Sequence, residues 1–170
     1  SKMRRTGYLE TSDTRIDRLY ENSVWGMRSN FLDMPTDCPQ RDERLGWTGD
    51  AQVFAPTASF HMDTKAFYAK FLRDLGADGA RHAGAVALFL PRMSPLTASV
   101  WGDSATLMPA TLYEYFGDKV LLKEEYPLMK GWVDYIRSED ERRGARNLYD
   151  FGFQFGDWLA LDGVSEQSSL

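Results

Sequence analysis

One cysteine, Cys38, and two histidines, His61 and His82, are all that 170 residues contain of either type. An internal disulfide is therefore excluded, and no redox compartment is indicated. Neither histidine is close to Cys38 in sequence, so the thiol reads as a buried, inert one and not as a nucleophile. His61, Asp63 and His82 show no HxxxH or CxxC spacing, which leaves no metal motif. The glycines between residues 76 and 84 lack the Lys-Ser/Thr ending of a phosphate loop. No G-x-S-x-G elbow exists either, so no cofactor and no Ser–His–Asp triad is expected. No run approaches the ~20 apolar residues of a membrane span, and no signal-peptide pattern is present. The formal charge is −5, and the basic residues sit among acids, as at residues 139–143. Without a basic stripe, nucleic acid is not an expected partner, and neither is a membrane.

What remains is ordinary in bulk, at 43% hydrophobic and 26% charged, which suits one globular domain. Aromatic content says more: 14%, with five tryptophans. Such side chains either pack a core or offer a rigid face for stacking on a sugar.

The pattern is helical. Apolar residues at Ile16, Leu19, Tyr20, Val24, Met27 and Phe31 predict one helix capped by Ser12 or Asp13. A second starts at Gly49 or Asp50 with Val53, Phe54, Thr57 and Phe60 inward, and Pro56 starting or kinking a turn. A third, capped by Asp63 or Thr64, carries Phe67, Phe71, Leu72 and Leu75 and stops at Gly76. Residues 77–100 resist assignment, apart from a short buried strand over 85–90. Leu107, Met108, Leu112, Tyr115 and Phe116 predict a further helix ending at Gly117. Asp118 then caps a short turn, and Pro127 opens a helix with Leu128, Trp132, Tyr135 and Ile136. The expectation is an all-α chain of about six antiparallel helices. Its long joints share one face, where residues 37–50, 101–103 and 156–158 meet.

The densest chemistry lies at residues 37–52, DCPQRDERLGWTGDAQ. Asp37, Asp42, Glu43 and Asp50 crowd around Arg41, Arg44 and Trp47, while Pro35, Pro39, Gly46 and Gly49 prevent one regular helix. On a surface such a cluster is a self-neutralising turn of little energetic worth. Around an aromatic ring it has the parts needed for glycosidic bond cleavage. That reaction needs a carboxylic acid still protonated near neutral pH. Neighbouring carboxylates and an apolar ring both raise a carboxyl pKa, and Glu43 has both available. Arg41 and Arg44 oppose that shift if they turn inward.

This segment resembles the signature of the inverting α-L-rhamnosidases of glycoside hydrolase family 78, whose catalytic domain is an (α/α)6 toroid. WGDSA at 101–105, YEYFGD at 113–118 and FGDWLA at 155–160 follow in the family's order, so the similarity covers most of the chain from about residue 10. RHAGAVALFLPRMS at 81–94 departs from it. The resemblance implies Glu43 as general acid, Asp37 and Asp50 as carboxylates on the rhamnose hydroxyls, joined by Arg41, and Trp47 as an aromatic wall. Trp101, Asp103 and Trp158 are implied as further pocket residues.

An inverting glycosidase also needs a second carboxylate roughly 6.5–9.5 Å from the acid. In the family this base is a glutamate on a later hairpin. Twelve helices of about eleven residues with loops of about five need on the order of 190 residues. The expectation is therefore that residues 1–170 are the N-terminal part of the toroid, carrying the acid side and inactive alone. Its partner is a rhamnose-containing glycoside, and apolar helix faces left uncovered favour self-association. Two alternatives stay open: a base inside the chain, at Asp103 or Asp157, or a non-catalytic helical sugar-binding or structural piece.

Overall fold

Buried Tyr20, Val24 and Met27, at spacings of four and three, give the first helix, α1 (Thr14–Asn30), a single inward stripe. Asp13 caps it by accepting the Arg15 N–H at 2.9 Å. The structure, a computed structural model, describes residues 3–155. After α1 come β1 (Gly46–Trp47), α2 (Thr48–His61), α3 (Lys65–Ala80), β2 (Phe89–Leu90), α4 (Ser104–Phe116) and α5 (Lys119–Arg142). Asp157 and Trp158 lie outside the described residues.

The helices form two layers, with α2 beside α4, α3 beside α5, and α4 packed across the layers on α5. The core runs through Tyr68, Phe71, Leu72 and Leu75 of α3, Met108 and Leu112 of α4, and Trp132 of α5. Short joints link α2 to α3 and α4 to α5. The long joints, residues 31–45 and 81–103, instead converge with residue 155 on one cavity. The alternation expected from the sequence is present.

Several local expectations are corrected. Five helices are described, not six, because Asp118 caps one 24-residue helix that runs through Pro127. Its side chain accepts from the Val120 and Leu121 N–H groups, both at 3.0 Å. Buried Leu121, Glu125, Leu128 and Trp132 continue across the proline, which faces solvent. The carbonyl that Pro127 leaves without a helical partner is therefore on the wet side, where water can take it. Gly76 does not end α3. It lies against Leu128 of α5, where a Cβ would sit 3.8 Å from the Leu128 Cβ. Close approach is also why residue 84 is glycine: its φ is +91°, and a Cβ there would lie 2.3 Å from the Gly131 carbonyl.

The buried face of α2 is Ala51, Ala55, Ala58 and Ser59, while Val53, Thr57 and Phe60 are exposed. Small residues let α2 and α4 approach, and the bulky ones point away. Ile16, Leu19, Leu107 and Tyr115 are likewise exposed, although helical spacing placed them inward.

Residues 77–100 acquire an account. Arg92 donates to Asp78 at 2.7 Å and to the Ala85 carbonyl at 2.6 Å, anchoring the segment to α3. Its end pairs antiparallel with the acidic joint, Gly46 opposite Leu90 and Trp47 opposite Phe89. The strand is two residues long, shorter than the 85–90 run.

Glu125 is 3% exposed on α5. Burial, reinforced by Glu124 and partly offset by Arg73, pushes its carboxyl up to about 7 from 4.5. The folded state thus holds this proton more tightly than the unfolded chain does. Its stabilising effect is complete below about pH 4.5 and is lost as pH rises through about 7, a change on the order of 3 kcal/mol. Glu125→Gln should raise the urea midpoint above pH 7, with little effect near pH 4. Equal effects at both pH values would rule out this titration.

Candidate active site

Asp37 closes the acidic joint on itself. Its backbone N–H donates to the Leu45 carbonyl at 3.1 Å, and its carboxylate accepts the Leu45 N–H at 3.0 Å. Nine residues are thereby tied off immediately before β1. Inside that loop Glu43 accepts the Trp47 indole N–H at 2.9 Å and pairs with the Arg41 guanidinium. The Asp37 and Glu43 carboxyls also hydrogen-bond to each other. Asp42 and Arg44, by contrast, pair with each other in solvent. Of the two arginines, only Arg41 pairs with Glu43 and lines the cavity.

Burial works against ionising Asp37. Hydrogen bonds from Glu43 and from the Cys38 and Leu45 amides outweigh it and hold the carboxyl below its ordinary value. Asp50 is shifted the other way. It stands in the first turn of α2 and is exposed into the cavity, where surrounding protein desolvates it. That desolvation, with the charges of Asp37 and Glu43, raises its carboxyl despite its own amide hydrogen bond. Cys38 is half-buried, and burial and Asp37 push its thiol up, away from a reactive thiolate.

One donor atom from each of Asp37, Cys38 and Glu43 lies within 4.8 Å of the others. Among the described residues this is the trio close enough to hold a metal ion, although Arg41 already supplies a cation there.

The cluster forms one wall of an open cavity of about 1020 Å³. Asp37, Arg41, Glu43, Trp47, Asp50 and Trp101 all line it, so six of the eight expected site residues come together. Trp158 lies outside the described residues. Asp103 stands behind the wall: one carboxylate oxygen accepts the Trp132 indole N–H at 3.0 Å, the other the Val100 N–H at 2.8 Å.

Phe155 was missed. It lies 4.1 Å from the Trp101 ring and 6.5 Å from Trp47, centroid to centroid, and lines the cavity with both. The aromatic run at 149–155 was the available signal. Met27, Phe31 and Phe54, which extend the cavity between α1 and α2, read in the sequence only as core.

Comparison with known proteins gives the family of the chain. The bacterial alpha-L-rhamnosidase 6 hairpin glycosidase domain matches residues 4–169. The chain belongs to that family. It is 40% identical over 151 residues to an alpha-L-rhamnosidase of Alteromonas sp. (strain LOR), covering 88% of this chain and 16% of that protein. The crystal structure of native alpha-L-rhamnosidase from Aspergillus terreus superposes with a TM-score of 0.82 at 43% identity, over 94% of this chain and 18% of that one. Streptomyces avermitilis alpha-L-rhamnosidase complexed with L-rhamnose gives 0.76 at 38% identity, over 81% and 14%. The chain thus spans about a sixth of the length of such relatives. As a member of the six-hairpin rhamnosidase family, its layered helices are part of an α/α toroid.

If Asp37 helps to raise Asp50, removing its charge must lower Asp50. Asp37→Asn keeps an oxygen for the Leu45 N–H, so the loop should stay closed. The Asp50 carboxyl, followed by carbon NMR across pH, should titrate lower in this variant. An unchanged titration would show that the Asp37 charge contributes nothing to it.

Proposed function

We propose that residues 1–170 form the N-terminal part of a rhamnosidase toroid that removes terminal α-L-rhamnose from rhamnosides with inversion. In this reading the chain carries the acid side. The observation that carries it is Glu43, held at once by Trp47, Arg41 and Asp37 on the cavity wall. Asp37, whose carboxyl is held below its ordinary value, stays ionised beside it. In this reading Glu43 gives a proton to the glycosidic oxygen. As the C–O bond breaks, Trp47 and Arg41 stabilise the carboxylate left behind.

Asp37 and Asp50 bind sugar hydroxyls, assisted by Arg41, and Trp47 and Trp101 wall the ring. On the resemblance alone, Trp158 adds to that wall. The water-activating carboxylate comes from outside these residues. The rhamnose complex of the Streptomyces relative supports rhamnose as the ligand. Leu19, Trp25, Val53 and Phe60, exposed on α1 and α2, support self-association of the chain by itself.

The chain should bind L-rhamnose saturably without hydrolysing an aryl α-L-rhamnoside. Trp47→Ala and Asp50→Ala should each weaken binding about tenfold or more by calorimetry. Lack of saturable binding would overturn the site. Robust hydrolysis abolished by Glu43→Gln would instead place acid and base together in this chain.

A further inference from the structure

Asp103 occupies the N-cap of α4, yet its side chain makes no capping hydrogen bond to that helix. An aspartate there ordinarily satisfies the first free N–H groups. Here both carboxylate oxygens point elsewhere, to the Val100 N–H and the Trp132 indole. Val100 has φ +67°, a left-handed conformation that a β-branched residue avoids. The turn is held further by the Trp101 N–H to the Ser99 carbonyl at 2.8 Å and the Gly102 N–H to the Ala98 carbonyl at 2.9 Å.

This turn delivers Trp101 to the cavity. The indole rests on the start of α2, where a Cβ on Gly49 would lie 2.9 Å from its ring atoms. Its other neighbour is Phe155. Trp132, which bonds Asp103, is buried and packs so tightly on Gly102 that a Cβ there would lie 2.3 Å from its ring. Asp103 therefore links a fixed core residue to a strained turn whose next residue is a cavity wall.

We propose that Asp103 is a positioning residue that holds the strained Val100 turn and so fixes Trp101 against the bound ligand, and that it is not itself a sugar ligand. This rests on the cavity being the rhamnose site.

The test uses the full 170-residue chain and the variants Asp103→Asn, Val100→Gly and their combination. Asn retains an oxygen for the buried Trp132 indole, so the core should survive, which far-UV circular dichroism checks. Asp103→Asn should weaken L-rhamnose binding about tenfold. It should also reduce the near-UV dichroism of the tilted Trp101–Phe155 pair. Glycine adopts positive φ freely. Adding Val100→Gly should therefore restore binding to within about threefold of the parent and recover the near-UV band. A carboxylate that touched the sugar could not be rescued from Val100, so weakened binding without rescue overturns the proposal. Unchanged binding and near-UV signal in Asp103→Asn overturn it equally. If the parent chain binds no rhamnose, the site reading fails. The near-UV loss and its rescue then decide the positioning role alone.

Discussion

The Asp37 carboxylate accepts the Leu45 N–H and hydrogen-bonds Glu43 with the same group, and the whole cavity wall is built on that double use. Closing the joint costs chain entropy, which grows only slowly with loop length. The reciprocal Asp37–Leu45 pair offsets that cost with one neutral and one charge-assisted hydrogen bond, the latter worth roughly 1.5–3 kcal/mol. The solvent pair Arg44–Asp42, inside the same loop, is of the kind worth about 0–1 kcal/mol. Charge density is therefore not what orders this segment. Closure by Asp37 turns a solvated acidic turn into a wall.

That wall is completed from the other half of the chain. Thr48 is fully buried, its N–H donating to the Leu88 carbonyl at 2.9 Å and its hydroxyl reaching the Ala87 and Leu88 carbonyls. With the two-residue ladder of β1 and β2, this fixes the start of α2 to residues 87–90. Those residues are anchored in turn through Arg92 and Asp78 to α3. Trp47 stands at the junction: its ring packs 4.6 Å from Phe89, and its N–H serves Glu43. A disturbance of the anchored segment would thus reach the acid through Trp47.

This arrangement explains which parts were legible in the sequence. The acidic joint could be read locally, because proline, glycine and packed charge leave few options. The helices were legible where one apolar stripe dominates, as on α3. They were misread where burial selects small residues, as on α2, whose alanines face the neighbouring helix while Val53 and Phe60 face out. Proline at 127 looked like a start because the exposure of its face is a tertiary property. The segment 77–100 was illegible for a different reason: its strand partner lies more than forty residues earlier, and two residues carry no periodicity. Asp103 was expected among the pocket residues. Only coordinates show both of its oxygens turned to Trp132 and Val100.

The sequence set two groups of influences on Glu43 against each other, neighbouring carboxylates and an apolar ring on one side and the arginines on the other. Trp47 offers Glu43 a donor, and Arg41 adds a cation, so both favour the anion. Opposing them is Asp37, with an oxygen within 4.8 Å. Two unit charges at about that separation repel by on the order of 3 kcal/mol at an effective dielectric constant near 20. On the proposed reading the two sets of forces act at different moments of the reaction. Asp37 disfavours a second charge beside it before the glycosidic oxygen takes the proton, and Trp47 and Arg41 then stabilise the carboxylate it leaves. An acid balanced in this way can release its proton and regain it without moving the loop that holds it.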